Sequence, residues 1–129
     1  MQFMLDTDTC SDIIKCIPAV TEKANRNRGL WCVSVIVYQE LVAGLIGSKG
    51  TRHEHAYEWF LRTVEVIDFS KADALAAADI GEANKRKGHN IGFADNRIAG
   101  HAASCGLTLV TNNLKHFKPI RGLNVVSWL

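Results

Sequence analysis

The sequence predicts an α/β protein: a short, mostly parallel central sheet flanked by helices on both faces. Two observations carry this. Short apolar runs, at Gln2–Leu5, Leu30–Val33, Val64–Ile67, Leu107–Val110 and Asn124–Trp128, alternate with longer segments whose apolar residues recur at helical spacing. That alternation is the pattern of parallel strands joined by helical crossovers. The runs at Leu5 and Val110 also end in polar clusters, Asp6-Thr7-Asp8-Thr9 and Thr111-Asn112-Asn113. In open α/β sheets, ligands gather outside the carboxyl ends of strands.

With 129 residues and 14.2 kDa, the chain is expected to form one domain, 1–129, with enough length for a single core. A hydrophobic content of 47% and a charged content of 22% describe an ordinary globule. The apolar runs are too short to span a bilayer, and no basic start followed by an apolar stretch marks the chain for export, so a cytoplasmic protein is expected. Cys10, Cys16, Cys32 and Cys105 show no C-x-x-C spacing, which favours reduced, mostly packed thiols over bridges or a zinc site. A net charge of +2 is too small to indicate a partner.

The first strand delivers Asp6 and Asp8. Thr9 with Asp12 has capping-box spacing and predicts a short helix through Cys16, which leaves Asp6 and Asp8 without a structural task. Pro18 suits the first turn of a second helix, ending at Asn25–Gly29. After the second strand, Ser34 is a predicted N-cap for a helix over Val35–Ile46. Glu40 interrupts that helix, with Ile36, Val37, Leu41 and Gly44 as helical neighbours, so a carboxylate falls on or beside the apolar stripe. Such a group is either ion-paired or bound to a metal.

Gly47–Gly50 is a loop without the Gly-Lys-Ser/Thr order of a phosphate loop. Thr51 with Glu54 predicts a helix through Arg62, in which Tyr57, Trp59, Phe60 and Leu61 are read as core or partner-facing bulk, core being favoured. Ser70 with Asp73 caps an alanine-rich helix ending at Lys85–Gly88. A further helix is expected to open at Asp95, burying Ile98, Ala102 and Cys105 and stopping at Gly106. A carboxylate in a first turn complements the helix dipole, so Asp95 serves either the helix start or chemistry.

Asp6, Glu40 and Asp95 are thus three acids at strand ends or on helices of a small α/β scaffold. Such a set suits one or two Mg²⁺ or Mn²⁺ ions, which take oxygen ligands and bind phosphate oxygens.

Four segments also resemble the PIN-domain ribonucleases, and within them the VapC toxins of bacterial toxin–antitoxin pairs. They are M-L-D-T at Met4–Thr7, S-V-x-x-x-x-E-L-x-x-G at Ser34–Gly44, G-x-x-D-x-x-I-A-G-H-A at Gly92–Ala102, and L-V-T-N-N at Leu109–Asn113, with Trp128 near the end. Each is short, but they follow the family's order over nearly the whole chain. The resemblance implies a PIN-like fold and a type II toxin: a Mg²⁺- or Mn²⁺-dependent endoribonuclease that cleaves structured RNA such as tRNA, enteric-type members being associated with initiator tRNA, and so inhibits translation. It also implies a homodimer and a VapB-type antitoxin covering the active site.

Carried over residue by residue, the resemblance makes Asp6 and Asp95 the principal metal ligands and Glu40 a ligand of the same or a second ion. Thr7 and Thr111 become hydrogen-bonding supports that aim the carboxylates. The family often keeps a fourth acid where this chain has Asn112 and Asn113, amides that orient a water or offer a carbonyl oxygen. Asp8 stands where Asn or Ser is usual and is a candidate for the missing charge. Two alternatives remain at this stage. Asp6-Thr7-Asp8 resembles the first motif of haloacid-dehalogenase-like phosphatases, with Asp6 as nucleophile. A non-catalytic PIN-like interaction protein is the other.

Overall fold

A computed structural model describes residues 1–129. Its five strands are β1 (Phe3–Leu5), β2 (Trp31–Ser34), β3 (Val66–Ile67), β4 (Thr108–Val110) and β5 (Val125–Val126). They form one sheet in the order β3-β2-β1-β4-β5, and every pairing is parallel. Phe3 stands opposite both Trp31 and Thr108, and Leu5 opposite Val110, so the acid-bearing end of β1 and the amide-bearing end of β4 emerge side by side.

The helices are α1 (Thr7–Ile14), α2 (Pro18–Arg26), α3 (Val35–Gly47), α4 (Glu54–Thr63), α5 (Lys71–Arg86), α6 (Phe93–Ser104) and α7 (Leu114–Phe117). The path from β1 through β2 to β3 runs one way across the sheet, and the chain must then return to place β4 on the far side of β1. Right-handed crossovers consequently put α1–α4 on one face and α5–α7 on the other. A single core runs through the sheet, with Met4, Leu5, Cys32, Val33, Leu109 and Val110 fully buried between the layers. No helix is long and apolar enough to cross a membrane.

Several caps match the sequence expectation. Ser34 caps α3 through the Ile36 amide, Pro18 begins α2, and Ser70 with Asp73 forms a reciprocal capping box on α5. Others differ. Asp6, not Thr9, caps α1, its Oδ1 accepting from the Thr9 amide at 2.9 Å. Asp6 already makes the terminal bond, so Thr9 is drawn inward and its hydroxyl donates to the Val110 carbonyl. Thr51 lies in the turn before α4, donating to the Ser48 carbonyl, and Glu54 reaches back to the Gly50 amide. The N-cap of α4 is His53, without a side-chain bond.

Helix α6 begins at Phe93 rather than Asp95, because Gly92, with φ of +92°, turns the chain into it. Glycine is also required at Gly100: a Cβ there would fall 2.5 Å from the Ala77 backbone, so α5 and α6 touch backbone to backbone. Two further expectations fail. Cys10 and Cys32 are packed, but Cys16 and Cys105 are exposed, Cys105 being the C-cap of α6 instead of part of its buried face. Trp59 is 64% exposed, while its neighbour Phe60 is buried and stacks on Trp31.

Candidate active site

The order β3-β2-β1-β4-β5 has its topological switch between β1 and β4, where connections leave in opposite directions and open a crevice at the carboxyl ends. Asp6 is the first residue beyond β1 and Thr111 the first beyond β4, and the Asp6 amide donates to the Val110 carbonyl. A pocket of about 150 Å³ opens here, lined by Asp6, Thr7, Asp8, Glu40, Asp95, Asn113 and Phe117. Four of the seven lining residues are acids, contributed by the start of α1, the middle of α3 and the first turn of α6. All three principal acids named from the sequence, and Asp8 with them, therefore share one pocket although up to 89 residues separate them (95 − 6).

The acids differ in environment. Asp6 is 8% exposed, and burial raises its carboxyl pKa; hydrogen bonds from Thr111 and Thr9 offset this only in part, and neighbouring Asp8 adds to it. Burial also raises the Asp95 carboxyl, opposed by His116 and reinforced by the charges of Asp6 and Asp8. Glu40 is exposed, so of the two expected positions, on or beside the apolar stripe, it takes the one beside it. Its helix turns that residue to the pocket rim, where Oε1 accepts from the Thr7 hydroxyl at 2.9 Å.

Thr111 is fully buried, bonded to Asp6 and accepting the Asn113 amide at 3.1 Å. The two amides diverge. Asn113 lines the pocket, whereas Asn112 points away and donates to Asp12 Oδ2 at 2.7 Å, bracing β4 against α1. Consecutive residues leaving a strand face opposite ways, and only one of this pair can meet the acids.

Sequence reasoning overlooked His116 and Phe117. His116 Nε2 lies 3.1 Å from Asp95 Oδ2 and 3.0 Å from the Ile91 carbonyl. A carbonyl only accepts, so Nε2 carries the proton, and the ring aims a donor at the carboxylate. Phe117, 2% exposed, forms the apolar floor. The only available signal was the position of L-K-H-F directly after the second strand-end cluster.

The donor set is all oxygen, as a hard divalent ion requires, and the crowded, partly desolvated carboxylates have one cationic candidate, His116, to relieve them. No three of the acids bring ligand oxygens within 4.8 Å of one another. An ion held here would take one or two carboxylates directly and complete its shell with water, as Mg²⁺ commonly does.

Comparison with known proteins agrees with this arrangement. The PIN domain profile matches residues 3–122. The chain is 38% identical to the tRNA(fMet)-specific endonuclease VapC of Salmonella typhimurium, over 99% of this chain and 98% of that one. It is 34% identical to ribonuclease VapC2 of Haemophilus influenzae, over 100% and 99%. Among solved structures, VapBC2 from Rickettsia felis bound to a promoter DNA fragment superposes with a TM-score of 0.90 at 32% identity, covering both chains fully. DNA-bound VapBC from Salmonella typhimurium gives 0.86 at 36% identity, covering 100% and 99%. These relatives support the nuclease reading and not the phosphatase alternative. An all-parallel sheet with acids converging at its switch point, matched to the PIN profile over 120 residues (3 to 122), identifies the chain as a member of the PIN-domain family, among the VapC nucleases.

Proposed function

We propose that this chain is the toxin of a type II toxin–antitoxin pair: a Mg²⁺- or Mn²⁺-dependent endoribonuclease that cleaves structured RNA in the cytoplasm, with initiator tRNA as the first substrate to test. The observation that carries this reading is the convergence of Asp6, Asp8, Glu40 and Asp95 in one pocket at the β1/β4 switch point. Asp6 and Asp95 would hold the ion, Glu40 would ligate it directly or through water, and Asp8 would supply the fourth negative charge. When bound, the ion would acidify a water and neutralise charge growing on the scissile phosphate. Thr7 fixes Glu40, Thr111 and the Thr9 amide fix Asp6, and His116 fixes Asp95, so the carboxylates are aimed before substrate arrives. No side chain need act as a nucleophile. The name of the Salmonella relative supports tRNA as substrate.

The VapBC neighbours support a VapB-type antitoxin as partner; a homodimeric toxin completes the proposed assembly. Trp59 on α4 and Ile46 on α3, both largely exposed, offer apolar surface to an amphipathic antitoxin segment, and an antitoxin arginine would compete with the ion for Asp6 or Asp95. Incubation of wild-type protein with total RNA and with initiator tRNA, with and without chelator, followed by sequencing of the ends, tests the reading. Metal-dependent cuts that disappear with Asp95→Asn are expected. Equal cutting by the Asp95→Asn protein, or no cutting by wild type, overturns it.

A further inference from the structure

A second group of ligating side chains lies apart from the acid pocket. Asp73 of α5, His101 of α6 and Cys105 at the end of α6 each offer one ligand atom, and these atoms all lie within 4.8 Å of one another. Asp73 is 3% exposed and His101 fully buried, while Cys105 opens the group to solvent. The His101 ring is held on both sides. Nδ1 lies 2.7 Å from Ser34 Oγ, and Phe69 meets the ring edge-on at 5.2 Å. Its other nitrogen is an orphan: Nε2 sits 3.4 Å from Asp73 Oδ2 but out of line for a hydrogen bond, and has no partner.

A buried ring nitrogen without a partner is costly and calls for an explanation. We propose that these three residues form a binding site for a borderline divalent cation such as Zn²⁺, with His101 Nε2, a carboxylate oxygen of Asp73 and Cys105 Sγ as ligands and a fourth position open to water. The donor set of imidazole, carboxylate and thiolate is that of zinc rather than of magnesium. Zinc bond lengths at tetrahedral angles put ligand atoms roughly 3.3–3.8 Å apart. Here Sγ and Oδ1 are 3.9 Å apart and the three ligand atoms all lie within 4.8 Å of one another, so a closure of about 1 Å suffices. Ser34 suits the pattern: its hydroxyl, 2.7 Å from Nδ1, can accept the second N–H of a ligating histidine and so free Nε2 for the metal. Asp73 can keep Oδ2 on the Ser70 cap, with Oδ1 facing Cys105. On binding, Cys105 loses its thiol proton to solvent and the S–metal bond replaces its hydrogen bond to Asp73. The ion would pin the start of α5 to the end of α6, beyond the Gly100–Ala77 contact and away from the acids.

Cobalt(II) is the probe, because a tetrahedral thiolate complex gives a near-ultraviolet sulfur-to-metal charge-transfer band that oxygen ligands do not. Titration of the metal-free full-length protein is expected to develop this band to saturation at one equivalent, and Zn²⁺ to abolish it. Cys105→Ala, a change at an exposed cap that circular dichroism can verify as folded, is expected to remove the band and weaken Zn²⁺ retention at least tenfold. Cys16→Ala should leave both unchanged, and Asp95→Asn should leave the band unchanged. Absence of the band in wild type, its survival in the Cys105→Ala protein, or its loss with Asp95→Asn overturns the proposal.

Discussion

His116 Nε2 is 3.1 Å from Asp95 Oδ2 and 3.0 Å from the Ile91 carbonyl, so one ring proton ties the α7 segment both to the carboxylate of α6 and to the loop that leads into it. His116 is therefore a positioning residue for Asp95. His116→Ala is expected to raise the Mg²⁺ or Mn²⁺ concentration for half-maximal RNA cleavage by about 10-fold or more, the usual consequence of losing an outer-shell partner. Metal titrations of wild type and variant at one RNA concentration measure this. An unchanged midpoint would show that Asp95 is aimed by its helix alone.

Asp6 combines an N-cap with a desolvated charge. Asparagine caps a helix as well as aspartate does but coordinates a hard cation poorly. Asp6→Asn should reduce cleavage below about a hundredth of wild type, since outer-shell losses already cost roughly 10–100-fold. In chelator at neutral pH it should also raise Tm. The folded-state pKa of Asp6 lies above its unfolded value, so the native protein holds the proton more tightly and its stability falls as pH rises through that interval. The Tm advantage of the variant should accordingly be full at neutral pH and shrink as pH falls through the same interval. Melts across an acid-to-neutral pH series provide the check.

Glu40 is exposed and bonded only to Thr7. Glu40→Gln should leave stability within about 0.5 kcal/mol, as surface changes usually do, while lowering metal-dependent cleavage. Chemical denaturation beside a cleavage assay separates the two effects. A large stability change would mean that the residue has a packing role.

The two strand-end amides should respond in opposite ways to the same substitution. Asn113→Asp adds a charge to the pocket and should tighten divalent binding, as affinity rises with ligand charge. Asn112→Asp sets a carboxylate against Asp12 in place of a donor at 2.7 Å and should destabilise by on the order of 1 kcal/mol, with no gain in metal affinity. Calorimetric metal titration and denaturant melts of both variants decide the matter.

Gly100→Ala should cost about 1–3 kcal/mol, the usual range for overpacking, because the added Cβ meets Ala77 backbone that cannot rotate away. Urea unfolding measures the loss.

The alternation of short apolar runs with helical segments, the caps at Ser34 and Ser70, and the positions of Asp6, Glu40 and Asp95 were all legible in the chain. They rest on local periodicity and hydrogen bonding within a turn, which neighbouring residues determine by themselves. Where two local solutions competed, as between Asp6 and Thr9 for the cap of α1, only packing against Val110 chose between them. The exposure of Glu40 and Trp59, the divergence of Asn112 from Asn113, and the His116–Asp95 contact depend on strand order and on which surfaces meet across the sheet. Those are relations between residues up to 100 positions apart, as between Asp12 and Asn112, and no sequence window contains both partners. Local sequence thus sets the elements and singles out the acids that come to share one pocket; packing settles which groups stand beside them, because desolvation and side-chain contact exist only once the layers are packed.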